Sequence, residues 1–153
     1  MINLNVSTII FQPVRQVFDF VSSPENDSQW QSGTLAAAKL PDGAGKTGSF
    51  FRSIGHLLGR RMQGLFEVTE YEPDRKYGFK SLSGPLHTQT SYTFESASGD
   101  TKISISTQAH AVDSFEMNER VLERKMKKQL KENLALLKDL LEAQRILPGP
   151  API

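Results

Sequence analysis

Hydrophobic and polar residues alternate along most of the first ten positions, MINLNVSTII, which predicts a half-buried strand. Pro13 suits the first turn of a helix, and Ser23-Pro24 ends that helix. A second short helical turn is predicted to run to Trp30. The chain therefore begins with one strand and two short helices. The first helix has an apolar face made of Val14, Val17, Phe18 and Val21.

From about Gly33 to Ala111 the pattern is strand-like, interrupted by the turn sequences PDGAGKTG, EPDR, SGP and ASGD. The last of these turns, ASGD, predicts the register of the hairpin that it connects. With Ser98-Gly99 as the central turn residues, one face of the hairpin pairs apolar residues and the other pairs polar ones. Because a slip of one residue would invert every side chain, this agreement favours the register. The pairs are Tyr92 with Ile105, Phe94 with Ile103, Glu95 with Lys102 and His87 with His110.

A long amphipathic helix is predicted after these strands. Asp113 and Glu116 form an N-cap and capping-box pair, and the helix runs to about Gln144 without Gly or Pro. Roughly 30 residues correspond to about 45 Å of helix, enough to cross the dry face of a sheet. The sequence LPGP, which starts at Leu147, ends it. One apolar stripe runs along this helix: Phe115, Leu122, Met126, Leu130, Leu134, Leu137 and Leu141.

This order predicts an α+β fold in which a curved antiparallel sheet of about seven strands wraps around the terminal helix. At 153 residues the chain fits one domain, expected over residues 1–147, with a Pro- and Gly-rich tail at 148–153. Lys and Arg number 18 and Asp and Glu 17, so no net field attracts nucleic acid. There is no cysteine, no signal-peptide pattern and no run long enough to span a bilayer. We therefore expect a cytoplasmic protein without stable membrane insertion.

Several motifs follow one another along nearly the whole chain: FQPVRQVFDFV at 11–21, PEN before Trp30, a glycine turn before Phe50, EVTEYEP at 67–73, YTF at 92–94 and the final helix. In this order they resemble the START-like, polyketide-cyclase-like (SRPBCC) superfamily, which has the helix-grip fold. The resemblance implies a hydrophobic ligand in a cavity between sheet and helix. The functions of that superfamily range from aromatic cyclisation to lipid transfer, hormone sensing and co-chaperone work, so the fold does not fix the function.

The turn PDGAGKTG contains Gly45-Lys46-Thr47, which matches the end of a phosphate-binding P-loop. The motif also needs a glycine at position 40, which is Leu40, and a helix immediately after it. The following residues, SFFRSI, are strand-like instead. We therefore expect a connecting hairpin turn and no nucleotide binding.

The three histidines, His56, His87 and His110, raise the question of a metal site. The predicted register places two of them opposite each other on the polar face of the sheet. Two imidazoles without a third ligand make a weak site, so we expect surface histidines and no metal.

The charged side chains of the basic run RKMKKQLK at 124–131 lie away from the apolar stripe of the helix. Glu123, Glu132 and Glu142 add opposite charge along the helix, and pairs such as Glu123 with Lys127 favour a solvated helix face. A surface that binds a partner is the alternative.

Residues on the inward strand faces and on the helix would line the implied cavity, and a packed core is the alternative for each. Glu119 and Glu123 project into the sector of the apolar stripe, where a carboxylate is costly unless it is paired or hydrated. Either the first turns overhang the sheet in water, or these carboxylates border the cavity mouth, with Arg52 and Arg61 as candidate partners. The candidate ligand-binding residues are Trp30, Phe50, Met62, Phe66, Phe79, Tyr92, Phe94, Phe115, Glu119, Leu122, Glu123 and Met126.

Three functions are consistent with these features. The leading hypothesis is the binding of a small hydrophobic or aromatic ligand. The second is a cyclase or dehydratase for a polyketide-like substrate, with Glu119, Glu123 or Tyr92 as acid or base. The third is a protein-interaction module that uses the basic helix face. We expect no cofactor. Whether the protein forms a homodimer stays an open question.

Overall fold

Strands and helices follow one another in the order that the sequence predicts. The computed structural model describes residues 1–41, 46–57, 59–84, 86–111 and 118–146. Its elements are β1 (Ile2–Ile10), α1 (Val14–Val21), a 3-10 turn (Pro24–Asn26), α2 (Asp27–Trp30), β2 (Thr34–Lys39), β3 (Phe50–Leu57), β4 (Arg60–Glu72), β5 (Lys76–Ser81), β6 (Leu86–Ala97), β7 (Asp100–Ala111) and α3 (Glu119–Ile146).

The strands form one antiparallel sheet with β1 and β2 at its two edges. Within the described residues the strand order is β1-β7-β6-β5-β4-β3-β2, so the strands from β2 to β7 are neighbours in chain order. β1 instead pairs with β7, from Ile2 opposite Ala109 to Ile10 opposite Thr101. The predicted α+β fold, with two short helices after the first strand and a long C-terminal helix, is confirmed.

The β6–β7 hairpin has the register that the sequence predicts. Tyr92 lies opposite Ile105, and the other predicted pairs are present as well. Ser98 and Gly99 have φ angles of 53° and 85°. A two-residue type I′ turn needs this left-handed conformation at both central positions. The turn and the side-chain pattern therefore favour the same pairing.

The described part of α3 begins at Glu119 and is capped by the residue before it. The side-chain oxygen of Asn118 accepts the backbone N–H of Arg120 at 2.9 Å, which satisfies one of the donors that a helix N-terminus leaves unpaired. The predicted cap at 113–116 and the predicted tail at 148–153 lie outside the described residues.

The apolar stripe of α3 packs on the sheet, but not equally along its length. Leu137 and Leu141 have no exposed surface, and they join one core with strand and α1 residues. Met126 and Leu130, which lie about three and two turns before Leu137, are only partly buried. Near the start of the helix, Leu122 is again buried, in a smaller cluster with Ile2, Leu4, Leu86 and Ala109. The helix is therefore well packed near its start and along its second half. Between these regions lies a looser stretch around Met126 and Leu130.

Leu137→Ala should lower the free energy of unfolding by about 2–5 kcal/mol, because it removes a fully buried side chain and leaves a cavity. The neighbouring Leu136 is 43% exposed, so Leu136→Ala is a matched control and should cost less than about 1 kcal/mol. Denaturant unfolding followed by circular dichroism measures both. Equal losses for the two variants would contradict this placement of α3.

Candidate functional site

A cavity of about 290 Å³ lies between the sheet and the looser stretch of α3. Its walls come from the inward faces of β3 to β7, from α3, and from residues 31–34, which join α2 to β2. On the helix it is bordered by Met126 and Leu130, the two stripe residues that are only partly buried. The cavity thus lies where the resemblance places one.

Three aromatic rings form much of the apolar lining. Phe66 on β4, Phe79 on β5 and Tyr92 on β6 meet edge to face, with centroids 5.7 Å apart for the first pair and 5.8 Å apart for the second. Such contacts suit the charge distribution of the rings and fix their orientation. Met62 and Met126 complete this side of the cavity. The structure therefore brings these five predicted ligand-binding residues together.

Hydroxyl groups form another part of the lining. Thr90 and Thr107 lie opposite each other on β6 and β7, with their Oγ1 atoms 3.2 Å apart. Ser81 Oγ accepts the backbone N–H of Thr88 at 2.9 Å. The described lining residues include no Asp, Glu, Lys or Arg. This wall offers neutral donors and acceptors but no formal charge.

Sequence reasoning missed this hydroxyl wall, although the signal was present. In the predicted hairpin register, Thr90 has the same parity as Tyr92, and Thr107 the same as Ile105. Because alternate residues of a strand face the same side, both threonines had to point inward.

A polar bridge connects α3 to the segment before β2. Gln129 Nε2 donates to Asn133 Oδ1 at 2.8 Å, and the same oxygen accepts the backbone N–H of Ser32 at 3.2 Å. On the strand side, a Cβ atom on Gly55 would lie 2.0 Å from the carbonyl oxygen of Gly33. Only glycine permits so close an approach of the two backbones. Both contacts hold this segment beside the cavity.

Three predicted ligand-binding residues are buried in the core and lie outside the cavity lining. Trp30 packs edge to face on Tyr92, with ring centroids 6.2 Å apart. Phe94 packs in the same way on Phe18, at 5.1 Å. Leu122 belongs to the small cluster near the start of α3. Of the three, Trp30 therefore contacts a ring of the cavity wall directly.

Phe51, and not the predicted Phe50, faces the interior from β3. Phe51 is 3% exposed and its ring stacks on Phe66 at a centroid distance of 5.1 Å. Since successive residues of a strand point to opposite faces, Phe50 lies on the outer face, and the prediction was wrong by one residue. The predicted Phe115 lies outside the described residues.

Glu119 and Glu123 do not line the cavity. Glu119 Oε1 lies 2.7 Å from the N-terminal amine of Met1, and both side chains are more than half exposed. Glu123 lies beside β1, in a groove on another side of α3. Their proposed partners Arg52 and Arg61 belong to β3 and β4, several strands away from β1. Glu119 is thus paired and hydrated at the edge of the sheet.

A buried polar cluster, which sequence reasoning also missed, lies behind Tyr92. It contains Asp27 and Trp30 from α2 and Tyr77 from β5, whose ring lies 6.1 Å from that of Tyr92. Burial, with nearby Glu25 as a second cause, raises the pKa of the Asp27 carboxyl well above its usual value. Burial and then Asp27 likewise raise the pKa of both tyrosines. Trp30 Nε1 has no hydrogen-bond partner among the described residues.

Of the three histidines only His56 borders the cavity; the pair of His87 and His110 and the described residues of the glycine turn have no part in it. His87 and His110 lie opposite each other on exposed positions, with ring centroids 4.9 Å apart. The described residues contain no group of three or more side chains placed to hold a metal ion. Gly48, with a φ angle of 88°, is followed by strand β3, whereas a P-loop requires a helix there. Residues 42–45 of that turn lie outside the described ranges.

The chain matches the family model for "Polyketide cyclase / dehydrase and lipid transport" over residues 1–142. No curated protein matches its sequence. Across the described ranges, none of the helices has the length and apolar character needed to cross a membrane.

Solved structures share the fold at low sequence identity. TTHA0849 from Thermus thermophilus has a TM-score of 0.79 and 12% identity, covering 93% of this chain and 98% of that one. A START superfamily protein from Mycobacterium smegmatis has a TM-score of 0.78 and 11% identity, with the same coverages. The di-domain ARO/CYC BexL from the BE-7585A biosynthetic pathway has a TM-score of 0.74 and 16% identity over 93% of this chain. The chain spans 47% of the length of BexL.

Asp27→Asn should stabilise the protein at neutral pH and alter its pH dependence. Because burial raises the folded-state pKa of Asp27 above its reference value of 3.8, the folded protein holds this proton more tightly than the unfolded chain does. The resulting stability is fully present below about pH 3.8 and is lost as the pH rises through the folded pKa. An amide cannot ionise, so above that pKa the variant should gain about 1.4 kcal/mol for each unit of pKa difference.

Denaturant unfolding between about pH 4 and pH 8 measures this effect. The exposed Asp19 on α1 supplies the matched control, because Asp19→Asn makes the same chemical change outside the buried cluster. If the free energy of unfolding of Asp27→Asn depended on pH in the same way as that of the wild type, the raised pKa assigned to Asp27 would be contradicted.

Proposed function

Since the chain belongs to the polyketide cyclase/dehydrase and lipid transport family, we propose that it binds a small, neutral, largely hydrophobic molecule in the cavity between the sheet and α3. The lining of the cavity carries the proposal. Phe66, Phe79 and Tyr92 offer ring faces and edges, while threonine, serine and amide side chains offer neutral hydrogen bonds. Such a lining suits a ligand with an aromatic or apolar body and a few polar substituents.

The absence of charge in the described lining argues for a neutral ligand. A carboxylate or an amine would lose its hydration on entering and would find no opposite charge there, which is costly. A hydroxyl or carbonyl group, by contrast, can exchange water for Thr90 or Thr107, whose hydroxyls both donate and accept. The volume of about 290 Å³ fits a compact molecule, near the lower end of small-molecule sites.

The relatives suggest two ligand classes. The family description names both polyketide cyclisation and lipid transport, and BexL is described as an ARO/CYC protein. A compact aromatic molecule of the polyketide type fits this lining better than a long acyl chain does, because hydroxyl and amide groups interrupt the apolar surface. We therefore favour a hydroxylated aromatic ligand.

A cyclase or dehydratase activity that uses the predicted carboxylates or Tyr92 has less support. Such chemistry needs an acid or a base beside the substrate, and Glu119 and Glu123 lie outside the cavity lining. The titratable side chains in the described lining are Tyr92 and the exposed His56. Because burial raises the pKa of Tyr92, its hydroxyl stays protonated near neutral pH and can donate a hydrogen bond, but it is a poor base.

Met126→Trp should weaken ligand binding by at least about tenfold, because the larger ring fills the cavity. Lys125→Trp adds the same ring at an exposed neighbouring position, so its affinity should equal that of the wild type. Isothermal titration calorimetry with a hydroxylated naphthalene as a neutral aromatic probe measures both variants, and thermal melts confirm that both fold.

Native mass spectrometry of the purified wild type provides a second readout. We expect a neutral adduct that is released on denaturation and is absent from Met126→Trp. Loss of binding in both variants, or in neither, would place the probe elsewhere and overturn the proposed site. Tighter binding of fatty acids than of neutral aromatic molecules would overturn the proposed class of ligand.

A further inference from the structure

A groove on another side of α3 carries a concentration of positive charge. It has a volume of about 570 Å³ and lies between α3 and the beginning of the edge strand β1. Asn3 and Leu4 form the strand side, and Glu123 contributes a single carboxylate. The remaining lining residues are all cations: Arg120, Arg124, Lys127, Lys128 and Lys131.

Four of these cations form one line along the helix. At about 100° per residue, Arg120, Arg124, Lys127 and Lys131 fall within a sector of about 60°. Met126, which borders the cavity, lies outside this sector. Like charges three or four residues apart repel and weaken an isolated helix. The line of like charges therefore lowers the stability of the helix, and the fold itself does not require it.

The cations of the groove are not neutralised within the described part of the chain. None of the five takes part in an ion pair there, and the predicted pair of Glu123 with Lys127 is not formed. Elsewhere, lysines do pair with glutamates: Lys39 with Glu25, Lys76 with Glu70, Lys80 with Glu67 and Lys138 with Glu142. The chain is nearly neutral as a whole, with 18 basic and 17 acidic residues, so this charge is a local feature.

We propose that this groove binds an acidic, extended segment of a partner protein. From Arg120 to Lys131 the helix rises by about 16 Å at 1.5 Å per residue. About five residues of extended chain, at 3.3 Å each, cover the same distance. Carboxylates on such a segment would meet the line of cations, and the exposed amide of Asn3 faces the same space. This surface is separate from the ligand cavity, so the proposal does not depend on the proposed function.

The lining favours a peptide over other anions. A membrane-binding surface combines cations with exposed apolar residues that enter the lipid, but the apolar residue in the described lining is Leu4, which is 4% exposed. Single-stranded nucleic acid binds where aromatic rings can stack on its bases, and the described lining of the groove contains none. A single phosphate would reach only part of a line of charge about 16 Å long.

Fluorescence anisotropy with labelled peptides of three, five and eight consecutive glutamates tests the proposal on the full chain. Affinity should rise from three to five glutamates and then level off, because the line of cations is fully occupied. The triple variant Arg124→Glu/Lys127→Glu/Lys131→Glu should bind the five-glutamate peptide at least about tenfold more weakly than the wild type. Higher salt should weaken wild-type binding, since the charges are exposed to solvent.

The control is Arg52→Glu/Lys102→Glu/Lys125→Glu, which changes the net charge by the same amount at exposed positions outside the groove. It should bind like the wild type, and thermal melts confirm that both triple variants fold. Equal losses in the two variants, or affinity that keeps rising beyond five glutamates, would overturn the proposal as a general charge effect. Tighter binding of the groove to oligouridylate or to phosphatidylserine vesicles would overturn the assignment to a protein partner.

Discussion

The packing of one apolar stripe of α3 against the sheet is the contact on which the rest of the structure depends. Leu137 and Leu141 are completely buried in the main core, and Leu122 is buried in a smaller cluster near the start of the helix. Between these two contacts, Met126 and Leu130 only partly fill the space above the sheet. The cavity is therefore the gap between two well-packed regions, and its position follows from where the helix is held.

Features that repeat over many residues could be predicted from the sequence, and single placements could not. The hairpin register and the leucine stripe each rest on several positions that agree with one another, and the structure has both. Phe50 and Phe51 are identical neighbours after a turn, so alternation alone could not decide which one points inward. The helical wheel placed Glu119 in the sector of the stripe, but it could not show that the sheet ends there and leaves this residue in water.

Tyr92 connects the cavity with a part of the core that buries polar groups. One side of the ring contributes to the cavity lining, and Trp30 and Tyr77 pack around the other. Behind it, a buried carboxyl at Asp27 and an indole N–H without a partner in the described residues both carry a desolvation cost. No periodic pattern in the sequence predicts this cluster. Its residues come from a short helix and from two strands that follow much later in the chain. The wall that would contact a ligand thus rests on polar groups whose protonation is set by burial.

The looser stretch of α3 also carries the line of cations, so the two surfaces share the same helical turns. Arg124, Lys127 and Lys131 alternate along the chain with Met126 and Leu130, which border the cavity. Repulsion among the cations acts on the part of the helix that has the fewest buried contacts, where local stability is expected to be lowest. A ligand that filled the cavity would add the apolar contacts that this stretch lacks. The proposed acidic segment in the groove would reduce the repulsion, so each occupant would stabilise the same turns from its own side.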